Sequence, residues 1–171
     1  MKRVESDFFH NGYRCVVVMQ DAGHRCGYVG IPEGHPLHGI DYSQKLPLFK
    51  KDDIMDSEIG KRGIIPLFCA GLSDDENISS DVYFNVHGGI TYSGDSERGY
   101  PVKNDDNLWW FGYDCNHCDD APDPSEMSDS RRASLYYFER NGIIRSLEYC
   151  IDECKSLADQ LKKLESREEG A

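Results

Sequence analysis

The sequence has no long apolar run and no excess of positive charge. Its apolar stretches fall short of the roughly 18 residues that a membrane-spanning helix needs, so we expect no membrane segment. Lysine and arginine total 19 against 31 aspartates and glutamates, which gives a formal net charge of -12. Direct binding of nucleic acid needs a basic surface that neutralises phosphates, and the charge balance argues against it. The same balance suits a partner that is itself basic.

The sequence also lacks a secretory signal and an even set of cysteines. The segment Met1–Asp7 has no apolar core behind its basic residues, so we expect a cytoplasmic protein. The seven cysteines are an odd number and are spread along the chain. In the cytoplasm this pattern predicts reduced thiols or metal thiolates instead of structural disulfides. The length of 171 residues fits a single domain over residues 1–171.

Hydrophobic patterning in most of the chain predicts β-strands. The strongest signal is a hairpin around Asn11-Gly12, because this dipeptide supplies both positive φ angles of a type I′ turn. The turn at 21–24 predicts a second reversal of the chain. The predicted strands span residues 7–10, 13–19, 25–31, 81–87, 90–93 and 107–114.

The carboxyl-terminal region predicts a long amphipathic helix. Apolar residues recur at spacings of three and four over residues 145–166. Charged residues, Glu153 among them, occupy the other face, which we expect to be solvated. These elements predict an α+β fold in which an antiparallel sheet packs against the C-terminal helix. The core would come from 7–31 and 81–166, with 33–80 as an irregular insertion that holds one or two short helical turns.

Residues capable of chemistry are concentrated directly after the two tryptophans. Residues 114–120 read Asp-Cys-Asn-His-Cys-Asp-Asp, so carboxylate, thiol and imidazole groups lie within seven positions. These are the ligand types that zinc prefers. Residues 104–130 contain eight acidic residues and no lysine or arginine, and a bound cation would relieve part of their repulsion. The sequence therefore predicts a bound transition metal, with Zn²⁺ as the first choice.

Several side chains compete for the ligand positions. Cys115 and Cys118 have the spacing of a zinc knuckle, but no second Cys/His pair completes a zinc finger. His87 is the best candidate from elsewhere, because it precedes Gly88-Gly89, where a ligand or another backbone segment can approach closely. A turn at Asn116 would bring together the side chains on either side of it. The candidates are His87, Asp114, Cys115 and His117, with Cys118, Asp120 and His35 as alternates and Asp119 as a weaker one.

Other interpretations of the same residues remain open. In a structural interpretation they are a buried thiol, a hydrogen-bonded core histidine and loop acids. A metal-dependent hydrolase would need an open coordination position and a carboxylate base such as Asp114 or Asp120. A nucleophilic dyad of Cys115 and His87 would need only hydrogen-bond reach. Cys150 and Cys154 lie on the apolar stripe of the helix, where we expect them to pack in the core.

Four parts of the sequence, taken in order, resemble one family. They are residues 27–37 (GYVGIPEGHPL), His87–Tyr92 (HGGITY), Trp109–His117 (WWFGYDCNH) and, in the final helix, Glu148-Tyr149 with Leu157–Leu161 (LADQL). Together they resemble small proteins encoded by phages and mobile elements of Gram-positive bacteria. The resemblance covers most of the chain apart from residues 40–80. Members with an associated activity are anti-CRISPR proteins directed against type II-A Cas9, and zinc binding is associated with at least one of them.

The resemblance implies a function and a set of ligands. It implies an acidic protein that inhibits Cas9 in the cytoplasm of the bacterial host by binding Cas9, or its complex with guide RNA, and blocking DNA engagement. It carries ligation of a structural Zn²⁺ onto His87, Asp114, Cys115 and His117, and it implies no catalytic residue. A small residue is expected after His117, where this chain has Cys118, so whether Cys118 adds a ligand stays open. The alternatives are a metal-dependent hydrolase of a nucleotide or other small substrate, and a protein that sequesters a signalling nucleotide.

Overall fold

The structure, a computed structural model, describes residues 2–55, 62–95, 101–103, 107–129, 132 and 142–168. Seven strands and four α-helices lie within these ranges, together with a 3-10 turn at Pro124–Glu126. In chain order the elements are β1 (Arg3–His10), β2 (Tyr13–Met19), β3 (Arg25–Ile31), β4 (Lys45–Lys50), α1 (Asp52–Met55), α2 (Ile64–Leu72), β5 (Asn77–Ser79), α3 (Ser80–Tyr83), β6 (Tyr92–Gly94), β7 (Trp109–Asp114) and α4 (Leu147–Glu168).

A five-stranded antiparallel sheet forms the centre of the fold, in the order β1-β2-β3-β7-β6. The predicted hairpin between β1 and β2 is confirmed, with φ angles of 50° at Asn11 and 89° at Gly12. The second predicted reversal, between β2 and β3, places Gly23 at a φ of 83°. The α+β class is also confirmed, because the sheet packs against the C-terminal helix α4.

The two faces of the sheet are both apolar but pack against different partners. Side chains that point towards α4 form the larger core, in which Phe111 and Tyr113 of β7 lie among residues of α4. The opposite face carries a smaller cluster around Trp110, whose partners include Tyr28. The residues that α4 contributes to the larger core are Cys150, Cys154, Leu157, Ala158, Leu161 and Leu164. The predicted apolar stripe of the helix is therefore its buried face, and Cys150 and Cys154 pack in the core as expected.

The insertion contains more regular structure than the sequence predicted. Strands β4 and β5 pair as a separate two-stranded sheet, and α1 and α2 come between these two strands in the sequence. The predicted strand at 81–87 is wrong. Val82, Phe84 and Val86 are all buried, so every second side chain of this segment does face the core, as in a strand. The backbone nevertheless makes one helical turn, in which the amide of Phe84 donates to the carbonyl of Ser80, and it joins no strand ladder.

One prediction about the exposure of α4 is wrong, and it concerns Glu153. Glu153 was expected on the solvated face, yet it is only 1% exposed. Its carboxylate accepts a hydrogen bond from the backbone amide of His87, at 2.9 Å between Oε2 and N.

All seven cysteines are free thiols. Within the described ranges, no helix combines the length and the apolar character that crossing a membrane requires.

The packing of α4 on the sheet can be tested at Leu157, which is fully buried in the larger core. We expect Leu157→Ala to lower the free energy of unfolding by about 2–5 kcal/mol, because it removes buried carbons and leaves a cavity. Urea denaturation measures the difference. Lys155→Ala, on the exposed side of the same helix, should stay within about 0.5 kcal/mol of the unmodified protein. Equal losses for the two variants would contradict this packing.

Candidate functional site

The loop after β7 is held in shape by its own carboxylates. The amide of Cys115 donates to the carbonyl of Arg25 at 2.9 Å, which extends the β3–β7 pairing by one residue. The amide of Asn116 then donates to Oδ1 of Asp114 at 3.1 Å, but this local bend does not bring Cys115 together with Asp114 and His117, because Cys115 contacts Cys150. The amide of His117 donates to Oδ2 of Asp120 at 2.9 Å. These hydrogen bonds therefore fix the positions of Asp114, Asp120 and the backbone of His117.

His87 uses both of its ring nitrogens within the protein. Nε2 lies 2.8 Å from Oδ2 of Asp120, and Nδ1 lies 2.9 Å from the hydroxyl of Tyr149. A neutral imidazole satisfies both contacts when Nε2–H donates to the carboxylate and Nδ1 accepts from the tyrosine hydroxyl. His87 is thus tied to the loop after β7 on one side and to α4 on the other.

Asp120 is the centre of this arrangement and is 1% exposed. Its Oδ1 accepts from Nε of Arg145 at 2.7 Å, while Oδ2 accepts from His87 and from the amide of His117. Burial acts to raise the pKa of Asp120, but the hydrogen bonds from Arg145, His87 and His117 together outweigh it and lower the pKa. The guanidinium of Arg145 also lies 5.0 Å from the ring centre of Tyr149. We call Asp120, His87, Arg145, Tyr149 and Glu153 the buried polar network.

His117 lies beside this network without joining it through its side chain. Its ring centre is 5.4 Å from that of His87, and its Nε2 is 4.0 Å from Oδ1 of Asp114. Nε2 is buried and has no hydrogen-bond partner among the described residues. The ring packs over Gly88, where a Cβ atom would collide with it and where φ is 69°. At Gly88 the close neighbour is thus the side chain of His117, and at Gly89 it is the backbone carbonyl of Asp81, so the expected backbone approach is present at Gly89.

Cys115 points into the core between the sheet and α4. Its Sγ lies 3.7 Å from Sγ of Cys150. The hydrogen bond with Cys150 and the burial of the thiol raise the pKa of Cys115 far above its usual range. The described contacts do not pair Cys115 with His87, because the ring nitrogens of His87 contact Asp120 and Tyr149. Cys115 is a protonated core thiol in this arrangement.

The alternate ligands lie in three different environments. Asp120 belongs to the buried polar network, whereas Cys118 and Asp119 are exposed at the tip of the loop. His35 is buried elsewhere, with Nδ1 accepting from the amide of Leu37 and Nε2 lying 3.4 Å from the carbonyl of Leu161. Since Tyr149 and Leu161 are twelve residues apart on α4, His35 and His87 meet this helix about 18 Å apart.

The predicted ligands are thus only partly brought together. His87 and His117 are neighbours, Asp114 is close to His117, and Cys115 faces α4. In the part of the chain that the structure describes, no group of three or more His, Cys, Asp and Glu side chains is arranged to hold a metal ion. The buried, unpartnered Nε2 of His117 is the one observation that fits a ligand. The metal site therefore stays a prediction, centred on His117.

Three members of the network were missed by sequence reasoning. Arg145, Tyr149 and Glu153 contact Asp120 or His87 directly, yet each resembles an ordinary charged or polar position at the border of an amphipathic helix. The three residues are spaced by four in the sequence, but only Tyr149 and Glu153 lie on one row of α4, because Arg145 precedes the helix. That row was the available signal, and its partners could come only from the tertiary structure.

Asp120→Asn tests whether the network stabilises the fold. The variant leaves Arg145 without its carboxylate partner in a poorly solvated position, and we expect a loss of about 3 kcal/mol in the free energy of unfolding. Asp119→Asn is the matched control, because this neighbouring side chain is exposed and the change should cost less than about 0.5 kcal/mol. Chemical denaturation of both variants provides the comparison. Equal free energies of unfolding for the two variants would show that the buried carboxylate of Asp120 does not stabilise the fold.

The role of the network has to follow from its own chemistry, because similarity to known proteins does not supply one. No family model matches this chain, and no curated protein and no solved structure matches it.

Proposed function

We propose that this protein is an inhibitor that acts by binding, of the anti-CRISPR type, and that it engages Cas9 or the Cas9–guide RNA complex so that DNA cannot enter. The net charge of -12 supports a basic partner. The resemblance of the blocks around Gly27, His87 and Trp109 supports Cas9 as that partner. Cas9 holds its nucleic acids in a positively charged channel, which an acidic protein can occupy in their place.

The observation that carries a binding role over catalysis is the engagement of the candidate reactive groups. Both nitrogens of His87 are hydrogen-bonded within the protein, and the carboxylate of Asp120 accepts three hydrogen bonds. The raised pKa of Cys115 keeps its thiol protonated. These hydrogen bonds hold the loop after β7, the turn at His87 and α4 against one another, which supports a structural use of the groups.

We propose a structural role for Zn²⁺ as well. His117 would be its central ligand, since Nε2 is buried without a partner, and Asp114 is the nearest further candidate. His87 would bind the metal only after one of its ring nitrogens leaves Asp120 or Tyr149. The metal would join the loop after β7 to the turn at His87 and contribute to the free energy of folding, because such a site does not exist in the unfolded chain. Cys115 would bind it only after leaving its contact with Cys150.

Metal content tests the zinc proposal directly. Elemental measurement on protein purified without added metal should give about one zinc per chain, and chelation should lower the melting temperature. His117→Ala should lose the metal. His35→Ala should keep the metal, because His35 meets α4 at Leu161, about 18 Å along the helix from the contact of His87 with Tyr149. Wild-type protein without metal would contradict the zinc proposal as a whole. Retention of zinc by His117→Ala would show that His117 is not a ligand.

One observation favours the alternative of a hydrolase. The order carboxylate–imidazole–hydroxyl in Asp120, His87 and Tyr149 is that of a general-base relay. Burial, followed by the nearby charge of Glu153, raises the pKa of Tyr149 to about 12, which disfavours the ionised nucleophile at neutral pH. Turnover of phosphodiester or nucleotide substrates that is abolished by Tyr149→Phe would establish the hydrolase and displace the binding role.

Binding to Cas9 should depend strongly on salt. If the acidic surface occupies the nucleic-acid channel, affinity for the Cas9–guide RNA complex should fall by about tenfold or more between low and physiological ionic strength. Biolayer interferometry over a salt series measures this dependence. Prior loading of the complex with target DNA should block the interaction. Salt-independent affinity, or equal binding to the DNA-loaded complex, would contradict occupation of the channel.

A further inference from the structure

Helix α2 displays the most exposed apolar surface of the described chain. Ile64, Ile65, Phe68 and Leu72 are between 66% and 78% exposed. They lie on a nine-residue helix, Ile64–Leu72, that contains no charged residue. Single exposed apolar side chains are common on protein surfaces, but a contiguous group of four large ones marks an interaction site. We call these four residues the α2 apolar face.

The helix is attached to the rest of the protein by a different set of side chains. Leu67 and Ala70 are partly buried against the larger core. The spacing of three between them places both on one side of the helix, towards the core. The α2 apolar face is therefore turned away from the interior by the way in which the helix is anchored.

An acidic border lies at the carboxyl end of α2. The chain leaves the helix through Ser73 into Asp74, Asp75 and Glu76, all three exposed. The amide of Lys51 donates to the carbonyl of Glu76 at 3.0 Å, so the exposed pair Asp52-Asp53 begins next to the same loop.

The lysines of this region are used within the protein. Lys45 Nζ contacts Ser73 and Asp75, Lys50 Nζ donates to Asn77, and Lys51 Nζ donates to the carbonyl of Ser73. These contacts leave five carboxylates against three lysines along the border. The charge that an approaching partner meets at the carboxyl end of α2 is therefore negative, whereas Arg62 precedes the amino end and contacts the carbonyl of Tyr83.

We infer that the α2 apolar face is the anchor by which this protein docks onto its partner, and that the partner offers an apolar groove bordered by lysine or arginine. This inference rests on the proposed function and assigns its contact surface. The uncharged helix would fill the groove, and the acidic border would meet the basic rim, which is the usual division between the centre and the edge of an interface. A second copy of the chain is the wrong occupant, because it brings the same border and the same net charge of -12.

The test replaces the centre of the face and compares it with an equally exposed residue elsewhere. The double variant Ile65→Ser/Phe68→Ser should bind the Cas9–guide RNA complex at least tenfold more weakly, mainly through faster dissociation. Its melting temperature should not fall, since both side chains are exposed in the free protein. Phe9→Ser is the matched control, because Phe9 is 72% exposed on β1, outside the α2 apolar face. The control should bind as tightly as the wild type.

The outcomes separate this inference from the function on which it rests. If the wild type binds and the double variant binds equally well, α2 is not the anchor and the proposed function stands. If Phe9→Ser weakens binding as much as the double variant does, the loss is not specific to α2 and the inference fails. If the wild type does not bind the complex at all, the proposed function fails and this contact surface falls with it. A wild-type dimer that the double variant converts to monomers in sedimentation velocity would assign the face to self-association and overturn the inference.

Discussion

The buried carboxylate of Asp120 is the constraint on which the candidate site depends. A charge with 1% exposure is costly unless it is paired and fully hydrogen-bonded, and here the compensation comes from three separate parts of the chain. His87 donates from the turn before β6, Arg145 from the approach to α4, and His117 from the loop after β7. Satisfying this one charge therefore links three segments, two of which are also joined by the β-bridge between Asp120 and Ile143.

The thiols of the larger core show the opposite physical situation. Cys115 and Cys150 face each other at 3.7 Å between the sheet and α4, and Cys154 is fully buried next to them on the helix. Burial raises the pKa of Cys154, and the contact with Cys150 raises that of Cys115, so these groups behave as small apolar side chains. A chain with this many cysteines invites a metal or a redox interpretation, but their chemistry is suppressed where the helix covers the sheet.

The elements that the sequence predicted well are those whose cause is local. Asn11-Gly12 determines its turn through backbone angles alone, and the spacing of apolar residues on α4 needs no knowledge of the partner. The segment 81–87 shows the limit of this reasoning, because alternating burial requires only that side chains face the core and not that a neighbouring strand is present. The alternation of side chains along β7 did allow the direction of one candidate ligand to be predicted. Cys115 continues the alternation of Phe111 and Tyr113, and that alternation turns it towards α4. The partners of Asp120 were beyond reach, since Arg145 is 25 residues away along the chain.

The acidic surface and α2 would contribute differently to the proposed interface. Long-range attraction from a net charge of -12 speeds the encounter with a basic partner but weakens with salt, and it discriminates poorly between one basic surface and another. Burial of large apolar side chains slows dissociation, and it requires a groove of matching shape. A protein with acids alone would bind many basic proteins briefly. An uncharged helix beside an acidic border adds the selectivity that charge cannot supply. The position of that helix depends in turn on Leu67 and Ala70, which pack against the core.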